Sequence, residues 1–333
     1  MKTYYVSKFK RRQILTLMII SSGLYCCITL LFIKRSLVTS QLSNAYQVIV
    51  LCTTNHLILD KTDVILMDKL ERLVKSIAKK SPRTRININI IAYEEEVVQF
   101  KEAIESATEG SETITYTFVS LNEITRNFER QITLSRNYTT FGKNHRYYDV
   151  TLHIRAHYPK IFTYNKAVVL DLDMEFKCSF QELYEQFYNM NTSQIFAFAH
   201  DQAPWYRHAF KQYRKENRGT KIGEPPPMFP GFNAGLILFD LEKMRKSEEF
   251  NYRLTDTGYI SLFEKYHVNS GVGDQDFFTL LGAEYPDIYY VLDCSFNRQV
   301  GSLRFMNPVF EAYYKCDDDV KIFHFNNQMN YLY

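Results

Sequence analysis

The chain has 333 residues, 46% hydrophobic, 15% aromatic and 23% charged, with a formal net charge of +3. That composition excludes a disordered or low-complexity protein. The positive charge is concentrated at Lys2, Lys8, Lys10, Arg11, Arg12, Lys34 and Arg35, which leaves 33 Lys and Arg against 37 Asp and Glu, and no basic stripe for nucleic acid.

Ile14–Ile33 is a 20-residue run without a charge, long enough as a helix to cross a hydrocarbon core of about 30 Å. The basic excess before it predicts a cytoplasmic tail (1–13), a transmembrane signal anchor (14–33), a lumenal stem (34–45) and a single lumenal domain (46–333). A cleaved signal peptide is the competing reading. Such peptides have an apolar core of about 7–15 residues that ends in small residues, and Leu30-Leu31-Phe32-Ile33-Lys34 offers no such site. Two glycosylation sequons, at Asn137 and Asn191, agree with a lumenal domain. Cys26 and Cys27 fall in the apolar run. The remaining cysteines are Cys52, Cys178, Cys294 and Cys316, an even number in an oxidising compartment with no zinc spacing, and Cys294–Cys316 is the preferred pair.

Tyr46–Cys52 reads as a strand and Asp63–Lys79 as a helix with Val64, Leu70, Leu73, Val74 and Ile77 on one face. Arg85–Tyr93 is a second strand, Glu94–Thr108 an acidic helix and Thr113–Leu121 a third strand. This alternation predicts an α/β domain built on a doubly wound, mostly parallel sheet. A helix around Tyr147–Tyr158, stopped by Pro159, leads to Lys166-Ala-Val-Val-Leu-Asp-Leu-Asp-Met-Glu-Phe176. Its apolar run suits a buried parallel strand, and residues two apart share a face. Asp171 and Asp173 therefore converge beyond the carboxyl end of a strand, where open α/β sheets bind ligands. A divalent metal is the simplest way to hold two like charges together. The plainer reading makes them cap and turn residues before a helix at Gln181–Tyr188.

Ile195–His200 is another buried strand, and Trp205–Asn217 a basic aromatic helix. Gly223–Gly231, with its prolines, is a stiff surface connection. Phe232-Asn-Ala-Gly-Leu-Ile-Leu-Phe239 places small residues before a buried strand, either to let a ligand approach the backbone or as a tight turn. Gly273-Asp-Gln-Asp276 opens an amphipathic helix, where Asp274 is either a cap or a site residue. Val320–Phe325 is a last strand carrying His324, either structural or a ligand.

In this order, Val169-Leu-Asp-Leu-Asp173, Phe232-Asn-Ala-Gly235, Gly273-Asp-Gln-Asp276 and His324 resemble glycosyltransferase family 8. Those are retaining, nucleotide-sugar-dependent enzymes of the GT-A fold, a Rossmann-like, mostly parallel sheet flanked by helices. Tyr206-Arg-His208, Arg214–Asn217, Glu224–Pro227, Leu292-Asp-Cys294, Asn297-Arg-Gln299 and Val309–Tyr313 further resemble its xyloside α-1,3-xylosyltransferase branch. The resemblance implies a UDP-xylose donor, an acceptor glycan on EGF-like repeats of Notch-type proteins, and the endoplasmic reticulum membrane, with the Golgi as alternative. It assigns Asp171, Asp173 and His324 to a metal, Mn²⁺ before Mg²⁺ because an imidazole joins the oxygens. It assigns Leu51, Cys52 and Thr53 to the uridine, the Leu172 backbone to the nucleotide, and Asn233, Ala234 and Gly235 to the donor sugar. Gln275 is to face the reacting carbon as a catalytic dipole rather than a nucleophile. One departure concerns the diphosphate: no lysine follows His324, and Asn326 is the candidate contact there. The other is a smaller set of lumenal cysteines than the branch tends to have. Another family 8 activity (a first xylose, glucose or galactose) and a silent lectin-like membrane protein are the rival readings.

Overall fold

The computed structural model describes residues 45–52, 62–140, 149–268, 270–300 and 313–326. The apolar run at 14–33 lies outside them, and no helix among the described residues is long and apolar enough to cross a membrane. Contacts divide the chain into Met1–Ala45 and Tyr46–Tyr333, and the second unit holds every element below.

The first half follows the expected alternation. It runs β1 (Tyr46–Leu51), α1 (Thr62–Lys80), β2 (Ile86–Ala92), a 3₁₀ turn at Glu94–Glu96, α2 (Val97–Thr108) and β3 (Ile114–Ser120). Leu70, Leu73, Val74 and Ile77 of α1 are buried in one core with residues of β1, β2 and α2, as their spacing requires. Next come α3 (Leu121–Asn127) and α4 (Glu129–Thr139), which the periodicity did not reveal. The helix expected at 147–158 is instead a pair of 3₁₀ turns, Val150–His153 and Arg155–His157, followed by α5 (Tyr158–Ile161). Pro159 starts that helix rather than stopping one, because a first-turn residue has no intrahelical bond to donate.

The strand β4 (Lys166–Leu170) precedes the short strand β5 (Met174–Phe176), then α6 (Phe180–Tyr184), α7 (Gln186–Asn189) and β6 (Phe196–His200). The basic aromatic helix is broken at the buried Phe210 into α8 (Trp205–Ala209) and α9 (Lys211–Glu216). The continuous strand β7 (Phe232–Asp240) rules out the tight turn at 232–235. After it come α10 (Leu241–Lys246), α11 (Glu248–Arg253), α12 (Asp256–Tyr266), α13 (Asp274–Glu284), β8 (Tyr289–Leu292), β9 (Arg298–Gln299) and β10 (Ile322–His324).

The main sheet has the order β3-β2-β1-β4-β7-β6-β8. Only β7 runs against its neighbours, β4 and β6. This single reversal positions the site. The amino end of β7, Asn233–Gly235, lies at the same sheet edge as the carboxyl ends of β1, β4 and β6, with Leu170 opposite Leu236. A small second sheet, β5-β10-β9, stands beside that edge, and its register sets His324 opposite Met174. Cys294 and Cys316 are disulfide-bonded with Cα atoms 6.0 Å apart.

Candidate active site

Asp171 and Asp173 follow β4 directly, and α6 has its own cap, the Ser179 hydroxyl accepting from Glu182 N. The carboxylates are therefore not the caps of that helix. Asp171 N donates to Gly235 O at 2.8 Å, which ties the pair to the start of β7, and Phe325 N donates to Asp173 O at 2.8 Å, which ties it to the end of β10. His324 Nε2 then lies 3.3 Å from Asp173 Oδ1 and 3.8 Å from Asp171 Oδ2. The ligand atoms of the three residues are all within 4.8 Å of one another.

The His324 ring is packed on the β7 backbone. A Cβ at Gly235 would fall 2.2 Å from His324 Cε1, so glycine is needed there for room rather than for an unusual dihedral. Electrostatics agree with a cation site. Burial and the neighbouring Asp173 raise the Asp171 pKa against the pull of Arg155. Burial also opposes the Asp173 charge, but His324 and Lys69 outweigh it and lower that pKa. For His324, burial opposes protonation and the two carboxylates overcome it. The trio thus calls for positive charge. Two hard oxygens and one imidazole, free to converge on a point, fit a divalent metal.

Arg155 was not expected, and it organises the other wall. Its side chain is 3% exposed. Nε donates to Asp274 Oδ1 and Oδ2 at 3.1 and 2.8 Å, and Nη2 to Oδ1 at 2.6 Å. Nη1 donates to Ala234 O at 2.6 Å and lies 3.5 Å from Asp171 Oδ1. Burial works against its charge, yet Asp274 and Asp171 raise its pKa. The available signal was slight, an arginine between Ile154 and Ala156; such a cation is buried only when paired. Asp274 is thereby spent on Arg155 and is not a helix cap.

Gln275 faces the same edge. Its Oε1 accepts from Ala234 N at 3.0 Å, so Ala234 is held by Gln275 at its N–H and by Arg155 at its carbonyl. Asn233, 6% exposed, turns its side chain inward, accepting from Gly235 N at 3.1 Å and from Asn297 Nδ2 at 3.0 Å. The N–H groups of Ala234 and Gly235 are thus taken within the fold, and their carbonyls already accept from Arg155 and Asp171.

Leu51 and Cys52 end β1 at the same edge. The Cys52 side chain is fully buried, its thiol pKa pushed well up by burial, and its N–H donates to Ile91 O at 2.9 Å. Thr53 lies outside the described residues. Leu172 is buried, and Asn326 Oδ1 is buried without a hydrogen-bond partner among the described residues.

Lys69 of α1 brings Nζ to 3.8 Å from Asp173 Oδ2, a cation that no motif announced. Asp201, 4% exposed after β6, has its carboxyl pushed up to about 7 by burial against the pull of the Ala203 N–H and His324. Asn137 and Asn191 are both exposed.

The model of glycosyl transferase family 8 matches residues 42–330. Xyloside xylosyltransferase 1 from mouse is 41% identical over 165 residues, 48% of this chain and 42% of the relative. The human protein of that name is 43% identical over the same length, with the same coverage. The match therefore spans less than half the length of these curated relatives. The glycosyltransferase-like protein LARGE from Caenorhabditis elegans is 29% identical over 164 residues, 49% of this chain and 23% of the relative. Among solved structures, apo mouse xyloside xylosyltransferase 1 superposes with a TM-score of 0.75 at 29% identity, over 85% of this chain and 98% of that one. An active-site mutant of LgtC shares the fold alone, with a TM-score of 0.52 at 16% identity over 85% and 88% of the two chains. The architecture is GT-A-like.

Proposed function

The chain belongs to glycosyltransferase family 8, and from that premise we propose that it moves xylose from UDP-xylose, with retention and in α-1,3 linkage, onto the xylose of a xylosyl-glucose O-glycan on EGF-like repeats. The observation that carries the xylosyl reading is the 41% and 43% identity to the two xyloside xylosyltransferase 1 proteins. In the same reading, residues 14–33 anchor the catalytic domain in the lumen of the endoplasmic reticulum, with Asn137 and Asn191 open to glycosylation.

Asp171, Asp173 and His324 would hold the metal, Mn²⁺ before Mg²⁺. When bound, it supplies Lewis-acid stabilisation of charge on the departing diphosphate. Lys69 adds a nearby cation where the family's lysine after His324 is missing. Leu51, Cys52 and Thr53 take the uridine, the Leu172 backbone the nucleotide, Asn233, Ala234 and Gly235 line the donor sugar, and the Asn326 amide makes a remaining polar contact.

Gln275 Oε1 keeps a second lone pair beside the one used by Ala234 N, and so presents a dipole to an oxocarbenium-like carbon. An amide is a poor nucleophile, which favours attack from the face the diphosphate leaves. The bond from C1 to the phosphate oxygen breaks with its electron pair going to that oxygen. The acceptor oxygen bonds to C1, and the acceptor proton passes to the departing phosphate oxygen.

The test is a form beginning near Gln41, incubated with Mn²⁺, a xylosyl-glucoside and each of UDP-xylose, UDP-glucose, UDP-galactose and UDP-glucuronate. Turnover of UDP-xylose is expected to exceed that of UDP-glucose by at least roughly tenfold, the scale of one missing hydroxymethyl group. Equal rates, or a preference for UDP-glucose, reject the xylosyl reading and leave the family standing. No turnover with any donor points to glycan binding without catalysis.

A further inference from the structure

Asn297-Arg-Gln299 stands out in the sequence but has no part in the chemistry so far. Asn297 is fully buried on a 3₁₀ turn, Cys294–Asn297. Its backbone is clamped from the end of β6. Gln202 Nε2 donates to Asn297 O at 2.9 Å, Gln202 N donates to Gln299 Oε1 at 3.1 Å, and Gln299 N donates to Gln202 Oε1 at 3.3 Å. The Asn297 side chain lies between two residues of the site, with Oδ1 3.0 Å from His324 Nδ1 and Nδ2 3.0 Å from Asn233 Oδ1.

The polarity of this chain of contacts follows from one group that has no choice. Gly235 N–H can only donate, and it donates to the Asn233 side chain at 3.1 Å. The Asn233 atom there must be its oxygen. Asn297 therefore presents its NH₂ to that oxygen and its own oxygen to His324. An oxygen acceptor at Nδ1 requires hydrogen on Nδ1, which leaves the Nε2 lone pair directed at Asp171 and Asp173.

We propose that Asn297 is a positioning residue that fixes the His324 tautomer for metal ligation through Nε2 and couples it to the donor-sugar loop through Asn233. The relay rests on the metal reading above. It runs Gly235 N–H to Asn233, Asn233 to Asn297, and Asn297 to His324. The Cys294–Cys316 disulfide joins the turn that carries Asn297 to the segment leading into β10. The covalent link thus holds the two ends of the last contact in one body. Partners of this kind fix the orientation of a ligating imidazole and, when removed, weaken metal affinity about 10–100-fold.

The experiment has two arms. With ring-¹⁵N histidine in the metal-free protein at alkaline pH, the His324 signal, identified by its loss in His324→Gln, is expected to show hydrogen on Nδ1. Hydrogen on Nε2 in the wild type overturns the proposal without any further variant. In the second arm, Mn²⁺ affinity is measured in the absence of donor. Asn297→Ala is expected to lose about 10–100-fold. Asn297→Asp keeps an acceptor for Nδ1–H and is expected to retain the affinity, while its KM for the donor rises because the bond to Asn233 is lost. Wild-type affinity in Asn297→Ala, beside a clear loss in Asp173→Asn, overturns the relay. Unchanged affinity in Asp173→Asn as well would bring down the metal reading instead, and the tautomer arm then decides the relay alone.

Discussion

Asp171-Leu-Asp173 and Asp274-Gln-Asp276 present the same spacing of carboxylates on two kinds of backbone. At the exit of β4 the chain turns at Leu172 and Asp173 before β5 begins, and both carboxylates meet His324 in one cluster. At the start of α13 residues two apart are turned about 200° from each other. Asp274 goes to Arg155, and Asp276 goes to the Tyr206 hydroxyl at 3.0 Å and to Ser270. Gln275 between them reaches Ala234. Exposure divides the two in the same way: the side chain of Asp171 is 41% accessible and that of Asp274 only 3%. The pair after β4 keeps charge available for something that arrives; the helix pair is satisfied within the fold, Asp274 by the Arg155 cation and Asp276 by hydroxyl and backbone hydrogen bonds. What an Asp-x-Asp does is decided by the backbone beneath it.

The largest effect that tests this contrast is on turnover. Asp171→Asn or Asp173→Asn is expected to lower it by about three orders of magnitude, the several kcal/mol that a Lewis acid contributes. Asp171→Asn should keep or raise the melting temperature, because one of two adjacent like charges is gone, whereas Asp173→Asn should lower it slightly, because His324 and Lys69 favour that charge in the fold. A melting temperature that collapses in either variant would put this pair in the structural class with Asp274.

Asp274→Asn should behave in the opposite sense. It leaves the buried Arg155 guanidinium without its main counter-charge, with only Asp171 at 3.5 Å, at a cost of about 3–5 kcal/mol, or on the order of 10 °C in Tm. Thermal melts of the two sets of variants side by side check the comparison. Equal Tm values for Asp274→Asn and wild type would erase it.

Much of this was legible in the chain, for reasons that can be named. The β-branched run before Asp171, and the alternation of strand and helix from Tyr46 to Ser120, are local signals of period two and 3.6, and the structure has those elements. The break at Phe210, the helix start at Pro159 and the short strands β5, β8 and β9 are decided by packing across the sheet, which no local period reports. The same holds for Lys69, which reaches Asp173 from a helix about a hundred residues away in sequence. Gly235 lies between these cases: its presence was noted, but its reason, the His324 ring on its α-carbon, is purely tertiary.

Gly235→Ala sharpens that point. The added methyl must displace the imidazole, so Mn²⁺ affinity should fall about tenfold or more, with an overpacking cost of about 1–3 kcal/mol. Isothermal titration with Mn²⁺ and a denaturant melt read the two effects separately. Undiminished affinity would mean that His324 can move and still serve.

The smallest effect concerns stability against pH and lies outside the Asp171–Asp173 pair. His200 stacks on Phe232, and burial lowers its pKa from 6.5 to about 4. Its folded pKa is depressed, so the stabilisation from the neutral ring is complete above pH 6.5 and is lost as pH falls toward 4. His200→Phe removes that titration. The Tm difference, variant minus wild type, should therefore widen as pH falls through this window; a difference constant with pH would refute the assignment.

The most direct measurement is a titration of the metal-free protein with Mn²⁺, followed by loss of the free-ion electron paramagnetic resonance signal. The account predicts one ion bound per chain in the wild type and in His200→Phe, and none at the same concentrations in Asp171→Asn or Asp173→Asn. Wild-type binding that survives in both aspartate variants would contradict the claim that the carboxylates after β4 are a metal centre.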